Sequence, residues 1–388
     1  MMDNLKLYDA RVQRMARAIG HEANDRVPIF GLVDNWALFY YGTTLSAAKE
    51  EIELEYAAYA KALTDFKFDM GAFPGITFPL KFAEALEGGI YSNNTETIQI
   101  ATSKSEIMSP DEYPEFNKDP MAFIVNKILP RKCGIFKEGN AGEMFQKLGR
   151  ALGEFSAFGQ SRQLLTQRYK IEHGLPICCA AAPFMPADLF LDCIRDFKGT
   201  MMDVRRNSDA LAEACMGLLE LEIKAAYAIL PSPAEDKYLS IFLHLPPYLK
   251  PKDFEKIYWP SFKAYIEHFA GQGYKFMILF EKNWEHLHEF LTELPKNCIL
   301  GLFEEDDLRK AKKIFGDTIC IGGGMKTTDL QYKTREQCLD IAKGLIDDLA
   351  PGGGYVFTTD KVMLSANDGT PENLKAVTDF VYEYGVYK

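Results

Sequence analysis

Apolar and polar positions alternate along this chain in two rhythms. Short apolar runs, closed by Gly, Pro, Asn or Asp, read as buried strands, and longer stretches with apolar residues three and four apart read as amphipathic helices. The runs are Arg26–Val33, Phe68–Phe73, Pro176–Ala182, Tyr238–His244, Lys275–Phe280, Cys298–Phe303, Thr318–Gly322 and Gly354–Thr358. Helical patterns precede or separate them at Tyr8–Ile19, Leu45–Leu63, Ala141–Gln167, Ser208–Ile229, Asp253–Gly271, Trp284–Leu294, Asp306–Phe315, Arg335–Asp348 and Glu372–Tyr384. Strands that alternate with helices predict a parallel sheet with right-handed crossovers, and eight such units favour closure into a (β/α)8 TIM barrel. Residues 80–140 lose this regularity, with stops at Tyr113-Pro114, Asp119-Pro120 and Leu129-Pro130. The stretch has no periodic core of its own, so it reads as an excursion over the barrel mouth or an oligomer contact, and 1–388 as one domain.

Composition narrows the class. The 388 residues are 47% hydrophobic and 13% aromatic, enough for a large core and against general disorder. A net charge of −11 argues against a nucleic-acid or anionic-membrane surface, which would require a basic face. No apolar run reaches membrane-spanning length, and the N-terminal segment mixes charge with helical spacing, so a cytoplasmic location is expected. The eight cysteines form no CxxC pair and several lie in apolar segments, which reads as reduced core thiols.

Residues just after the strands of such a barrel share one face, where catalytic groups collect. Here they are Asp34, Asn35 and Trp36; His244; Glu281, Asn283 and Trp284; Glu304 to Asp307; Gly322-Gly323-Gly324-Met325-Lys326; and Thr358 to Lys361. The mouth is expected to be acidic, with Lys326 and Lys361 as counter-charges. A carboxylate ending a buried strand is costly unless solvated, paired or used, which singles out Glu281, and His244 before Pro246-Pro247 must also find a partner. Asp306 or Asp307 reads equally as a helix N-cap or a ligand, Trp284 as core or pocket wall, and His286 and His288 as solvated surface. The glycines of GGGM lack a dinucleotide-binding pattern and read as a tight turn.

The ordered strings RVPIFGLVDNW, SPDEYPEFNKDP, FKGTMMDVRRNSDAL, KPKDFEKIYWPSFKAYIEHFAGQGYKFMILF, DDLRKAKKIFGDTICIGG, PGGGYVFTT and TPENLKAVTDFVYEYG resemble the uroporphyrinogen decarboxylase superfamily, nearest its corrinoid-dependent methyltransferase and O-demethylase-like branch. That resemblance implies a (β/α)8 barrel. True decarboxylases carry an arginine-rich segment after the first strand, whereas this chain has GLVDNWALFYYG. Zinc-using relatives take a His and a Cys from the fifth strand end and a Cys from the last; the matching positions here look like Leu279, Glu281 and Lys361, so the usual zinc site is expected to be absent. The resemblance implies His244 and Glu281 as catalytic residues, and Asp34, Trp36, Asn283, Trp284, Glu304 and Lys361, read from the strand ends, are the expected substrate contacts. The expected activity is methyl transfer from a small O- or N-methyl compound to a corrinoid (cobalamin) on a partner protein. The alternatives are decarboxylation of a small acid or tetrapyrrole with Asp34 as the acidic group, or non-catalytic binding within a corrinoid system. A hard-ligand metal site at His244, Glu281 and Glu304 stays open, and a homodimer is expected from the aromatic-rich barrel and its excursion.

Overall fold

The fold is that of a computed structural model, which describes residues 2–88, 91–93, 98–100, 107–137 and 140–387. Part of the 80–140 excursion therefore lies outside the described residues; the part within them includes short helices, among them Leu80–Ala85 and Tyr113–Lys118. Each of the eight apolar runs contributes a parallel strand: β1 Phe30–Gly31, β2 Met70–Gly71, β3 Cys179–Ala181, β4 Tyr238–Leu243, β5 Lys275–Phe280, β6 Ile299–Phe303, β7 Cys320–Met325 and β8 Tyr355–Thr359. β3 to β8 form one sheet in sequential order, and β1 pairs with β2. Single parallel bridges, Gly71 to Ile177 and Ile29 to Phe357, tie the β1–β2 pair to both ends of the larger sheet. The result is an α/β architecture on a parallel sheet.

The period-two alternation sorts side chains onto two faces. Met277 and Leu279 of β5, Leu300 and Leu302 of β6, Cys320 of β7 and Val356 of β8 join one apolar cluster. Their neighbours Phe276, Ile278, Phe280, Ile299, Ile321 and Phe357 join a larger one, which packs against the helices. Met15, Ala18 and Ile19, from the end of helix α1 (Met2–Ile19), complete the smaller cluster. All eight cysteines are unpaired, and all but Cys179 are buried.

Two local expectations change. The GGGM segment is not a turn beyond β7 but part of it, with Gly322, Gly323 and Gly324 paired to Val356, Phe357 and Thr358. Gly323 and Gly324 have φ of 120° and 96°, the region that favours glycine, and a Cβ on Gly324 would also press at 2.6 Å on the end of the Leu345 side chain from the helix Arg335–Leu349. The run expected as a helix over Trp284–Leu294 is instead a 3-10 turn, Glu285–Leu287, followed by the short helix His288–Leu291.

Asp307 caps the helix Leu308–Phe315, its carboxylate accepting from the backbone N–H of Arg309 at 2.9 Å. Asp307→Ala should therefore cost about 1 kcal/mol. Urea unfolding that shows no loss would argue against the cap.

Candidate active site

Strand register sets the site. Leu243, Phe280, Phe303 and Gly323 are paired across β4 to β7. One residue further on come His244, Glu281, Glu304 and Gly324, and Gly324 pairs with Thr358 of β8. The alternation turns His244, Glu281 and Glu304 to the same face as Phe242, Leu279 and Leu302, which bear on the smaller cluster. Three sequence-predicted residues are thus brought into one row.

At its centre His244 lies between two carboxylates. Its Nδ1 is 2.6 Å from Asp192 Oδ2, and its Nε2 is 3.4 Å from Glu281 Oε1. Burial works against charge on the ring, but the bonds to Asp192 and Glu281 outweigh it and push His244 up to about 11. The ring is an imidazolium at neutral pH, with both nitrogens donating. Glu281 is the more open partner, with 39% of its side chain exposed against 5% for Asp192, so the Nε2 side faces the mouth.

Asp192 and a second carboxylate, Asp188, were not among the residues singled out from the sequence. They stand four apart on consecutive helical turns, Pro186–Leu189 and the wider Phe190–Ile194, so they project from one side. Asp188 accepts from the backbone N–H of Leu245 at 2.8 Å and of His244 at 3.2 Å, and from the Tyr258 hydroxyl. Complete burial pushes it up to about 7. The signal was present in PADLFLDCI, where two carboxylates interrupt an otherwise apolar stretch.

The other candidates are placed differently. Glu304 accepts from the backbone N–H of Lys282 at 2.7 Å, fixing the turn after β5, where Lys282 has a left-handed φ of 60°. Asp306 accepts from Trp284 N at 3.1 Å and pairs with His288 Nε2 at 2.6 Å, both side chains being enclosed. His288 is therefore a core residue and not the solvated one expected; His286, on the surface, bonds to the Leu249 carbonyl.

Asn283 accepts from Glu285 N at 3.1 Å and faces solvent, and Lys361 lies 3.6 Å from Asp368. The two tryptophans expected against substrate are in the core instead. Trp36 donates to the Gly369 carbonyl and stacks on Tyr40, while Trp284 donates to the Glu281 carbonyl and meets Phe280 edge-on at 4.9 Å. Each indole N–H finds a protein acceptor and each ring a packed neighbour, so neither offers a face to a ligand.

Asp34, after β1, is buried and accepts from the hydroxyls of Tyr59 at 2.8 Å and Thr77 at 3.0 Å. Burial pushes it up to about 6 despite those bonds. An acid raised in this way holds more protons folded than unfolded, so its contribution to stability declines as pH rises from about 4, the free value, to about 6. Asp34→Asn should remove that part of the decline and leave the variant more stable than the parent above pH 6. Urea midpoints measured across this range check it; identical slopes for the two proteins would refute it.

Comparison with known proteins places the chain. Residues 163–384, more than half of it, match the family model described as uroporphyrinogen decarboxylase (URO-D). The chain belongs to that family. Among solved structures, a methyltransferase from Methanosarcina mazei shares the fold, with a TM-score of 0.65 over 96% of this chain and 98% of the other at 14% identity. Comparison with curated protein sequences returns no match. At the positions aligned above with zinc ligands stand Leu279, which has no donor atom, Glu281, and Lys361, whose ammonium pairs with Asp368. These residues do not suit a thiolate zinc site. Among the described residues, no group of three or more His, Cys, Asp or Glu side chains is arranged to hold a metal ion, which includes His244, Glu281 and Glu304. No described helix is long and apolar enough to cross a membrane.

Proposed function

We propose that this chain is a (β/α)8-barrel methyltransferase that moves a methyl group from a small O- or N-methyl compound to a corrinoid carried on a separate protein. The two bridges that join β1–β2 to the ends of the larger sheet support closure of the barrel, and family membership with the methyltransferase neighbour supports the class. The observation that carries the reading is the Asp192–His244–Glu281 array at the strand ends.

Demethylation of an ether breaks a carbon–oxygen bond, and the electron pair stays on oxygen. The reduced corrinoid supplies the pair that captures the methyl group. The protein's part is to neutralise the departing oxygen: His244 gives it the Nε2 proton, and Asp192 keeps the ring oriented through Nδ1. An imidazolium held charged between two carboxylates can protonate a departing phenoxide, and aryl methyl ethers are accordingly tested as donors. Glu281, partly open to the mouth, accepts from Nε2 and balances the imidazolium charge until the departing oxygen takes that proton.

Purified protein, mixed with a reduced corrinoid protein and a panel of aryl methyl ethers and methylamines, should yield the absorbance spectrum of a methylated corrinoid. A panel that leaves the spectrum unchanged overturns the proposal and favours a non-catalytic partner in such a system. Decarboxylation at Asp34, the family's eponymous chemistry, would need a substrate to displace the Tyr59 and Thr77 hydroxyls that occupy both carboxyl oxygens. Release of carbon dioxide from uroporphyrinogen would establish it.

A further inference from the structure

Asp188 takes no part in the array that carries the proposed reaction, yet it is wholly enclosed beside His244. Its hydrogen bonds come from uncharged donors: the backbone N–H groups of Leu245 and His244, both to Oδ1, and the Tyr258 hydroxyl to Oδ2. A buried carboxylate is costly unless a cation stands near it. The positive group that Asp188 meets is the His244 imidazolium, which offsets part of what burial costs.

Hydrogen bonding alone does not call for a charge at this position. An asparagine carbonyl would accept from both backbone N–H groups, and its amide would donate to the Tyr258 oxygen, so the same contacts are open to a neutral side chain of the same shape. What asparagine lacks is the negative charge. The local structure explains how that charge is aimed. Asp188 stands in the helical turn Pro186–Leu189, and Asp192 in the five-residue π turn Phe190–Ile194 that continues it. Such turns recur at functional sites. One segment therefore holds one histidine twice: Asp188 takes its backbone, and Asp192 takes its ring at Nδ1. Tyr258 ends a second π turn, Phe254–Tyr258, and is itself buried, so the second oxygen of Asp188 is fixed as well.

We propose that Asp188 is a positioning residue for His244: it fixes the main chain from which the ring projects, and its charge holds the ring protonated. The catalytic consequence rests on the reading of His244 as the proton donor. The ring is faced by Asp192, Glu281 and Asp188. Asp188 is faced in turn by His244, by Asp192 on its own segment, by Tyr258 and, from the helix Ser208–Ile229, by the buried thiol of Cys215. Burial pushes Tyr258 and Cys215 well up, so both stay neutral and the three carboxylates are the charges that act on the ring. Asp188, pushed up to about 7 by burial, gains its charge as pH rises through neutrality. Its hold on the proton is thus greatest on the alkaline side, where an ordinary histidine has already lost it.

The test is a carbon-13 NMR titration of His244 in the full chain, its resonance identified by absence from the His244→Asn protein. Asp188→Asn should lower the His244 midpoint by at least about one pH unit. Tyr258→Phe removes a bond to Asp188 but leaves the charge, so the midpoint should stay in place. The parent protein supplies a check that needs no variant: its His244 signal should show a second inflection near pH 7, as Asp188 titrates beside it. In turnover, the alkaline limb of the pH–rate profile should move with the midpoint while KM is unchanged. An unmoved midpoint in Asp188→Asn, an equal fall in Tyr258→Phe, or a parent signal that is flat through neutral pH overturns the inference. The titration is read without turnover, so absence of methyl transfer from every donor would overturn the reaction and not this role of Asp188.

Discussion

Replacing His244 by asparagine is expected to slow methyl transfer by roughly 10²- to 10⁴-fold, the usual contribution of a positioned proton donor. Asparagine retains a donor near Asp192 but has no ionisable proton for the departing oxygen. The loss should depend on the donor: an aryl ether with a nitro group, whose phenoxide needs no proton, should lose far less than an unsubstituted one. That dependence separates proton donation from a structural role, which would slow all donors alike. The parent enzyme's rate should stay level through neutral pH and fall as His244 loses its proton towards pH 11. Stability follows the same sign. A histidine raised from about 6.5 contributes fully below that value and loses its contribution as pH rises towards 11. Equal losses for activated and unactivated donors would remove His244 from the role of acid.

The largest effect on stability is expected at Asp69. Its carboxylate is buried and accepts from Arg26 at 2.7 and 2.8 Å, from Arg14 at 2.8 Å and from the Ile29 backbone N–H at 2.9 Å. It joins α1, the approach to β1 and the approach to β2 at one point. Asp69→Asn keeps the shape but removes the charge that compensates two guanidinium groups, so about 3–5 kcal/mol should be lost. Urea unfolding with an unchanged m-value would measure it. Methyl transfer by the folded variant should be normal, because Asp69 lies at the opposite ends of the strands from His244. A loss below about 1 kcal/mol would mean that water or a neighbouring acid replaces the carboxylate.

The fold was legible where its signal was local. Lys275–Phe280 is a strand over the expected bounds because five apolar residues follow one another there and Gly273 precedes them. The first two runs were legible as strands but not in extent. Of Arg26–Val33, only Phe30 and Gly31 enter a ladder, while Arg26, Ile29 and Val33 make single bridges to Val386, Phe357 and Met363. Apolar character records burial, and burial there comes from helices and from β8 as much as from a neighbouring strand.

The pair His244 and Glu281 could be read from the sequence because both end buried strands, and a polar group at such a place requires an explanation. Asp192, whose position decides the charge on His244, lies fifty-two residues away in a helical turn. No spacing rule links the two. Trp284 shows the same limit: beside a strand end an indole serves equally as core or as pocket wall, and only its bond to the Glu281 carbonyl and its contact with Phe280 place it in the core.

By itself, then, the sequence determined the α/β alternation, the eight strand positions, the family resemblance and the cluster of acids and histidine at the strand ends. These follow from periodicities of two and 3.6 residues, which act over one element at a time. The tertiary structure alone decided the register that puts His244, Glu281 and Glu304 in one row, the place of Asp192 beside His244, and the burial of Trp36, Trp284, His288 and Asp34. Each of these depends on which distant segment a side chain meets, and that is set by packing across the whole chain.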